Sequence, residues 1–170
     1  MIPVVSFVGK SGSGKTTLIE KIISGLRRRG WRVATIKHSR HGFDIDREGK
    51  DTWRHRKAGA KMTVMASPEQ IAIIEDAEKD FEIQDLRDKY IHDVDIILTE
   101  GFKGNKYPKI EVFRASLNRD MLCSGSDNLI AIASDKQIGL GGVPCIDINN
   151  AEDITQLIVD LFLNTSDKEC

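Results

Sequence analysis

Eight residues near the N-terminus have the types and the spacing of a phosphate-binding loop. Positions 9–16 are GKSGSGKT and satisfy the pattern G-x-x-x-x-G-K-[ST] throughout. In such a loop the backbone N–H groups surround an anion, the ammonium of Lys15 would reach the β- and γ-phosphates, and the hydroxyl of Thr16 would ligate Mg²⁺. A complete motif disfavours the alternative, a glycine-rich turn that binds nothing. The predicted nucleotide contacts are Gly9, Ser11, Gly12, Ser13, Gly14, Lys15, Thr16 and Thr17. Lys15 is also predicted to be a catalytic group.

The residues on either side of this loop have the pattern that a phosphate site needs. Before it, positions 4–8 form a short apolar run, which predicts a buried strand. After it, Leu18, Ile22 and Leu26 recur at helical spacing and predict a helix from about 15 to 29. The N-terminus of that helix adds partial positive charge and unpaired N–H donors. Together they predict a nucleoside triphosphate site with bound Mg²⁺.

A later strand supplies the acid that a bound metal ion would need. The apolar run 94–99 predicts a buried strand, and Glu100 and Gly101 follow it directly. Parallel strands present their C-terminal ends at one edge of a sheet, where ligands bind. We therefore expect Glu100 beside Thr16, as a metal ligand and a catalytic group, and we expect Gly101 to let the backbone approach the γ-phosphate. The alternative is that Glu100 only caps the end of its strand.

A catalytic cation and a second acid are expected after the second predicted strand. Lys37 stands at the end of that strand and could neutralise the charge that develops on the phosphate. The loop that follows offers Asp44, Asp46 and Asp51 as metal ligands, and we expect Asp51 first and Asp44 second. Asp51 also opens a predicted helix, where its carboxylate could serve only the helix dipole. The sequence leaves these alternatives open.

The same part of the chain carries histidines and arginines. The pair His38 and His41 is not matched by a second Cys or His pair, so the spacing disfavours a zinc site. A cluster of three arginines faces either an anionic partner molecule or only solvent on a helix face, and the sequence does not decide between them. Those arginines are Arg47, Arg54 and Arg56.

The whole-chain composition limits the class of protein. At 170 residues the chain is long enough for one domain, 1–170, with a substantial core. Its net charge of -1 gives no general attraction to nucleic acid or to an anionic membrane. We see no cleavable signal and no apolar stretch near the roughly 20 residues that span a bilayer. Cys123, Cys145 and Cys170 are odd in number and lack metal-ligand spacing, which favours a reducing cytoplasm.

Alternating strand and helix patterns predict the fold class. We expect an α/β protein with the P-loop NTPase fold, a mostly parallel sheet flanked by helices. Further strands are predicted at 31–36, 110–113, 129–133 and 143–148. Two short strands, 62–66 and 70–75, flank a turn and predict a small β-hairpin insertion. A helix at 83–91 is expected to bury Tyr90, and a final helix is expected to bury Ile154, Leu157, Ile158, Leu161 and Phe162.

Several blocks beyond the phosphate loop match a known family in order along the chain. They are GKSGSGKTT at 9–17, TIKH at 35–38, GFDID at 42–46, GKDTWRH at 49–55, LTEGFK at 98–103 and PKIEVFR at 108–114. Together these blocks resemble the molybdopterin-guanine dinucleotide biosynthesis protein B (MobB) family. The phosphate loop is common to many NTPases, whereas the later blocks are far more specific. The resemblance covers about positions 4 to 135.

The resemblance implies a function and a set of partners. Members of this family would bind GTP, hydrolyse it weakly, and act late in molybdenum cofactor synthesis. They would assist a guanylyltransferase partner that attaches GMP to molybdopterin, and they would form homodimers. The family is related to the dethiobiotin-synthetase-like branch, in which acids at the positions of Asp51 and Glu100 share the metal with the loop threonine. Whether molybdopterin itself binds is left open.

The usual guanine-binding motif Asn-Lys-x-Asp is absent from the sequence. Asp135 ends a late predicted strand and could accept hydrogen bonds from guanine, or it could be a turn residue that bonds its own backbone. No clear glutamine for water and no arginine finger stands out, so we expect slow turnover in isolation. Two alternatives remain: a small-molecule kinase or ATP-dependent ligase of the same fold, and a scaffold that holds nucleotide without turnover.

Overall fold

The chain is described by a computed structural model that covers residues 1–39, 41–124 and 127–164. It divides into two compact units. The first contains Met1–His38 and the described residues from Arg87 onwards, and the second is Ser39–Leu86. The expectation of one nucleotide-binding domain over 1–170 stays a prediction. Cys170 lies outside the described residues.

Strands and helices alternate along most of the chain. The strands are β1 (Val4–Val8), β2 (Val33–Lys37), β3 (Met62–Ala66), β4 (Ile71–Glu75), β5 (Ile96–Glu100), β6 (Lys109–Phe113), β7 (Leu129–Ser134) and β8 (Cys145–Asp147). The helices are α1 (Lys15–Arg28), α2 (Asp51–Lys57), α3 (Ile83–Tyr90) and α4 (Ala151–Phe162), and a short 3-10 turn covers Ala115–Leu117. Within the described ranges, none of the helices has the length and apolar character needed to cross a membrane.

The first unit is built on a six-stranded sheet in the order β2-β5-β1-β6-β7-β8. Every neighbouring pair of strands in it is parallel. Glu100, the last residue of β5, is level with Phe7 of β1 and with Lys37 of β2. Because the phosphate-loop sequence follows β1, it leaves the sheet between the C-terminal ends of β5 and β6. The predicted mostly parallel α/β sheet is confirmed.

Apolar burial fixes the helix that carries the phosphate loop. Leu18, Ile22 and Leu26 of α1 are at most 1% exposed. They belong to one buried cluster with Ile154 and Ile158 of α4 and with the central strands. Complete burial of a side chain of this size contributes roughly 1.5–3 kcal/mol. The start of α1 is therefore held firmly at the sheet edge.

The second unit contains a two-stranded hairpin of β3 and β4. The strands pair antiparallel, with Met62 opposite Glu75 and Ala66 opposite Ile71. Ser67 closes the turn, because its hydroxyl accepts the N–H of Gln70 at 3.1 Å and its own N–H donates to the Gln70 carbonyl at 2.9 Å. The predicted hairpin insertion is confirmed, although β4 begins one residue later than expected.

Some predicted boundaries and buried faces are wrong. Strand β2 begins at Val33 rather than at Trp31. Tyr90 is 41% exposed, because it is the last residue of α3 and the ammonium of Lys89 lies over its ring at 5.0 Å. Leu161 is 45% exposed. At about 100° per residue, the buried face of α4 is centred nearer Thr155 and Val159, and Leu161 falls at its margin.

Candidate functional site

The phosphate-loop sequence connects β1 to α1 with a backbone that Gly9 makes possible. Gly9 has φ +149°, a conformation that L-residues rarely adopt. A Cβ on Gly9 would stand 2.4 Å from the backbone carbonyl oxygen of Val112, in the neighbouring strand β6. Glycine is therefore required at this position by both the dihedral angle and the close approach of the next strand.

The loop ends at a helix N-terminus that no side chain caps. Gly14 is the N-cap residue of α1, no side chain accepts a cap hydrogen bond there, and the first turn holds no acidic residue. The hydroxyl of Ser13 is buried and has no hydrogen-bond partner among the described residues. Uncapped N–H donors and the positive end of the helix dipole favour an anion at this point.

Lys15 lies inside the loop. Its ammonium donates to the carbonyl oxygens of Gly9 at 3.1 Å and Lys10 at 2.9 Å. Burial lowers the pKa of Lys15; Glu100 opposes this shift, while Lys103 and Lys37 add to it. Three ammonium groups around one carboxylate leave an excess of positive charge. A bound polyphosphate would relieve that excess.

Thr16 and Glu100, the two predicted metal ligands of this sheet edge, lie in contact with each other. The Thr16 hydroxyl donates to both carboxylate oxygens of Glu100 at 3.3 Å, and the ammonium of Lys37 lies 3.6 Å from Glu100 Oε2. The side chain of Glu100 is 17% exposed. Parallel pairing with β1 and β2 explains this placement, since it sets Glu100 level with Phe7 and Lys37.

The oxygen donors of Thr16 and Glu100 suit Mg²⁺, which shares its ligands with a substrate, better than they suit a metal ion that the protein alone must hold. Over the described ranges, no three His, Cys, Asp or Glu side chains come close enough to hold a metal ion. Mg²⁺ commonly takes one or two protein oxygens and completes its octahedron with substrate phosphates and water. The hydroxyl of Thr16 and the carboxylate of Glu100 match that requirement.

The candidate second acids lie in the second unit, and their metal role stays a prediction. Asp51 is the first residue of α2, where its charge favours the helix N-terminus. Asp44 is exposed. Asp46 accepts the hydroxyl of Thr52 at 2.8 Å through Oδ1, while its buried Oδ2 has no partner among the described residues. Asp46 is thus an acid in this loop with one oxygen still to be satisfied.

Glycine is needed at position 101 for a structural reason that differs from the predicted one. Its φ is +103°, and a Cβ there would stand 2.5 Å from the carbonyl oxygen of His38. The N–H of His38 donates to the carbonyl of Glu100 at 2.9 Å, so the ends of β2 and β5 lie in close contact. Glycine is needed for that contact, and an approach of Gly101 to phosphate stays a prediction.

Asp135, the predicted guanine contact, follows β7 at the same edge of the sheet. Its Oδ1 accepts the backbone N–H of Ala115 at 2.8 Å. The residue that it bonds is therefore twenty positions away, rather than a neighbour in its own turn. Recognition of guanine by Asp135 stays a prediction, with one carboxylate oxygen already engaged.

The comparisons with known proteins agree with one another. The family described as "Molybdopterin guanine dinucleotide synthesis protein B", MobB, matches residues 4–135. The chain is 38% identical over 164 residues to the "Molybdopterin-guanine dinucleotide biosynthesis adapter protein" of Escherichia coli, with 94% of this chain and 93% of that protein covered. The chain belongs to the MobB family. The protein of the same name from Haemophilus influenzae is 35% identical over 158 residues, with 92% and 88% covered.

Solved MobB structures share the fold of this MobB-family chain. A crystal structure of "molybdopterin-guanine biosynthesis protein B (mobB)" matches with a TM-score of 0.73 at 28% identity, over 94% of this chain and 98% of that one. The crystal structure of Bacillus subtilis MobB matches with a TM-score of 0.70 at 27% identity, over 92% and 98%. The predicted fold class and the predicted MobB family are both confirmed.

Two arginines beside the phosphate loop were missed by the sequence analysis of this MobB-family chain. Arg114 directly follows β6, and its Nη2 lies 3.2 Å from the point where a Cβ on Gly14 would stand. Arg119 Nη1 donates to the carbonyl oxygen of Ser11 at 3.4 Å. Neither belongs to a nucleotide-binding motif, so their positions had to come from the structure.

A buried carboxylate on β6 supports the segment that carries both arginines. Glu111 is 1% exposed and accepts the backbone N–H groups of Leu122 at 2.6 Å and Cys123 at 2.8 Å. Burial, followed by the charge of Glu111, raises the pKa of the Cys123 thiol to about 12. The signal was available in the sequence: a carboxylate within an otherwise apolar central strand must find partners.

Proposed function

We propose that this protein is a GTP-binding adapter in the biosynthesis of molybdopterin-guanine dinucleotide, with weak Mg²⁺-dependent GTP hydrolysis. The observation that carries the nucleotide part is the contact of Thr16 with Glu100, at 3.3 Å to both carboxylate oxygens, next to a complete phosphate loop. The pathway part rests on membership of the MobB family and on the printed names of the relatives.

Each group of the site has a definite task in this proposal. The uncapped N–H donors of α1 and the loop backbone bind the phosphates, and Lys15 supplies charge beside them. Thr16 and Glu100 would hold Mg²⁺, which supplies positive charge to the β- and γ-phosphate oxygens when bound. Lys37, 3.6 Å from Glu100, is the further cation on this side. Asp135 is the proposed guanine contact.

Slow turnover follows from what these residues do. They bind and neutralise phosphate, but they offer no side chain identified as a base or an orienter for attacking water. In GTPases an arginine finger contributes about 10³–10⁵ in rate. We propose that the isolated protein turns over slowly and that its role is to assist a guanylyltransferase that attaches GMP to molybdopterin. Direct contact with molybdopterin is included in the proposal. A cytoplasmic setting is proposed because Cys123 and Cys145 are free thiols.

Calorimetric titration with nucleotides tests the proposed function. Mg²⁺-GTP is expected to bind more tightly than GTP with chelator and more tightly than Mg²⁺-ATP, with turnover below about one per second. The same titrations, repeated with molybdopterin and with a molybdopterin guanylyltransferase present, test the two proposed partners. Fast ADP release that depends on a small-molecule substrate would favour the kinase or ligase alternative and contradict the proposal.

An exposed apolar hairpin face supports the proposed homodimer. Met62, Val64, Ile71 and Ile73 share one face of the β3–β4 hairpin, with Val64 directly opposite Ile73. They are between 45% and 69% exposed, which is unusual for a cluster of large apolar side chains. We therefore propose that this apolar hairpin face meets its copy in a second chain.

Charged substitutions on the apolar hairpin face are expected to separate the dimer. Val64→Lys combined with Ile73→Lys should shift the sedimenting species from twice the chain mass of 19.0 kDa to a single chain, because burying two ammonium groups opposite each other is unfavourable. Leu161→Lys, on an exposed apolar residue of α4, is the matched control and should leave the dimer intact. An unchanged dimer in the double variant would contradict the proposed interface.

A further inference from the structure

Arg114 presents its guanidinium at the phosphate loop. The residue is partly buried, and its Nη2 lies beside Gly14, 3.2 Å from the position of an added Cβ. Among the described residues its guanidinium makes neither a hydrogen bond nor an ion pair. This cation lies beside the uncapped N-terminus of α1 with no counter-charge among the described residues, so the position favours an anionic ligand.

The opposite flank of the loop is already assigned to the metal. β5, which ends in Glu100, lies on one side of β1, and β6, which leads into Arg114, lies on the other. Thr16 and Glu100 would hold Mg²⁺ on the β5 flank, where it would supply positive charge to the β- and γ-phosphates of a triphosphate, so we expect the γ-phosphate end on that flank. The α-phosphate and the nucleoside would then extend over β6 and β7.

The segment that carries Arg114 is held in place at several points. Asp135 accepts the N–H of the next residue, Ala115, at 2.8 Å. Further along, the buried carboxylate of Glu111 accepts two backbone N–H groups, those of Leu122 and Cys123. The guanidinium is thus presented by an anchored backbone, which reduces the entropy lost when a ligand binds.

We infer that Arg114 contacts the α-phosphate of the bound nucleotide, on the flank of the loop opposite the metal. A planar guanidinium with paired N–H donors suits a phosphate better than an ammonium does. Asp135 then has two tasks, because its bond to Ala115 also positions the backbone that carries Arg114. This inference rests on the proposed nucleotide site.

Titration of an Arg114→Ala variant with two ligands tests the assignment. Mg²⁺-GTP fills all three phosphate positions, whereas Mg²⁺-pyrophosphate can fill the β and γ positions alone. We expect Arg114→Ala to raise the Kd of GTP about 10- to 100-fold, the loss of a charge-assisted hydrogen bond. The Kd of pyrophosphate should stay within about twofold of wild type. Arg28→Ala, which removes an exposed arginine at the far end of α1, should change neither.

A conservative variant, which keeps the positive charge but not the planar guanidinium, separates the effects of charge and geometry. Arg114→Lys should weaken GTP binding less than Arg114→Ala and again leave pyrophosphate unchanged; it decides the matter if the alanine variant does not fold. Wild-type affinity for GTP in both variants would overturn the assignment of Arg114. A parallel loss for both ligands would also overturn it, since Arg114 would then support the loop. If the wild-type protein itself does not bind GTP, both the proposed function and the assignment of Arg114 are overturned.

Discussion

Lys15→Ala is expected to remove nearly all affinity for GTP, with a rise in Kd of roughly 100- to 1,000-fold. The ammonium of Lys15 lies within hydrogen-bond distance of two carbonyl oxygens of its own loop, those of Gly9 and Lys10. Each charge-assisted hydrogen bond that it would make to phosphate contributes about 1.5–3 kcal/mol, and two such bonds at the lower end of that range account for the expected loss.

The lowered pKa of Lys15 strengthens this expectation. Burial disfavours the charged ammonium in the free protein, and Lys103 and Lys37 add repulsion. The negative charge of a bound polyphosphate would offset that repulsion, so part of the binding free energy would come from stabilising an ammonium that the free protein disfavours. A neutral alanine has no such penalty to relieve.

The fold of the Lys15→Ala variant should persist, because alanine is favourable in a helix and the apolar face of α1 is untouched. Lys21→Ala, an exposed lysine two turns further along α1, is the matched control and should bind GTP as the wild type does. Calorimetric titration in Mg²⁺ measures the effect, and thermal unfolding checks the fold. Wild-type affinity in a folded Lys15→Ala variant would contradict the assignment of the phosphate site.

The sequence predicted which residues of the candidate site lie together wherever a local pattern or the end of a strand decides it, as for Thr16 and Glu100. The phosphate loop needs only eight consecutive residues, and Glu100 needs only the rule that parallel strands end at one edge. The pairing of Glu100 with Phe7 and Lys37 follows from that rule once β5 lies next to β1 and β2. Local chemistry and one topological rule were therefore enough.

Contacts that depend on packing between distant segments were not predicted. The proximity of Arg114 to Gly14 depends on the register of β6 beside β1, and the bond from Ala115 to Asp135 depends on that of β7 beside β6. A shift of one residue would turn each side chain to the other face of the sheet. Helix faces have the same problem: Ile154 and Leu161 are seven positions apart and so only about 20° apart around α4, yet Ile154 is 0% exposed and Leu161 is 45% exposed.

Gly9→Ala is expected to damage the loop far more than Gly12→Ala, although both replace a phosphate-loop glycine. A Cβ on Gly9 would overlap the backbone carbonyl oxygen of Val112 at 2.4 Å, and that oxygen belongs to a central strand that cannot move alone. Strain at a positive φ and overpacking each cost about 1–3 kcal/mol, so we expect a loss of about 3 kcal/mol in the free energy of unfolding.

Gly12 provides the matched control within the same loop. Its φ is +79°, but an added Cβ would meet no heavy atom within 4 Å. Only the backbone conformation is then penalised, by about 1 kcal/mol. For a chain of this length we expect a fall in Tm of roughly 6–12 °C for Gly9→Ala and roughly 2–4 °C for Gly12→Ala.

Thermal unfolding and GTP titration on both variants separate the two causes. If the close approach to Val112 governs the loop, Gly9→Ala should lose GTP affinity along with stability, because the loop backbone can no longer take the shape that surrounds phosphate. Equal losses in the two variants would mean that positive φ alone dictates glycine here. The close contact of Gly9 with Val112 of β6 would then not determine the shape of the loop. That contact also holds the loop next to the strand that leads into Arg114.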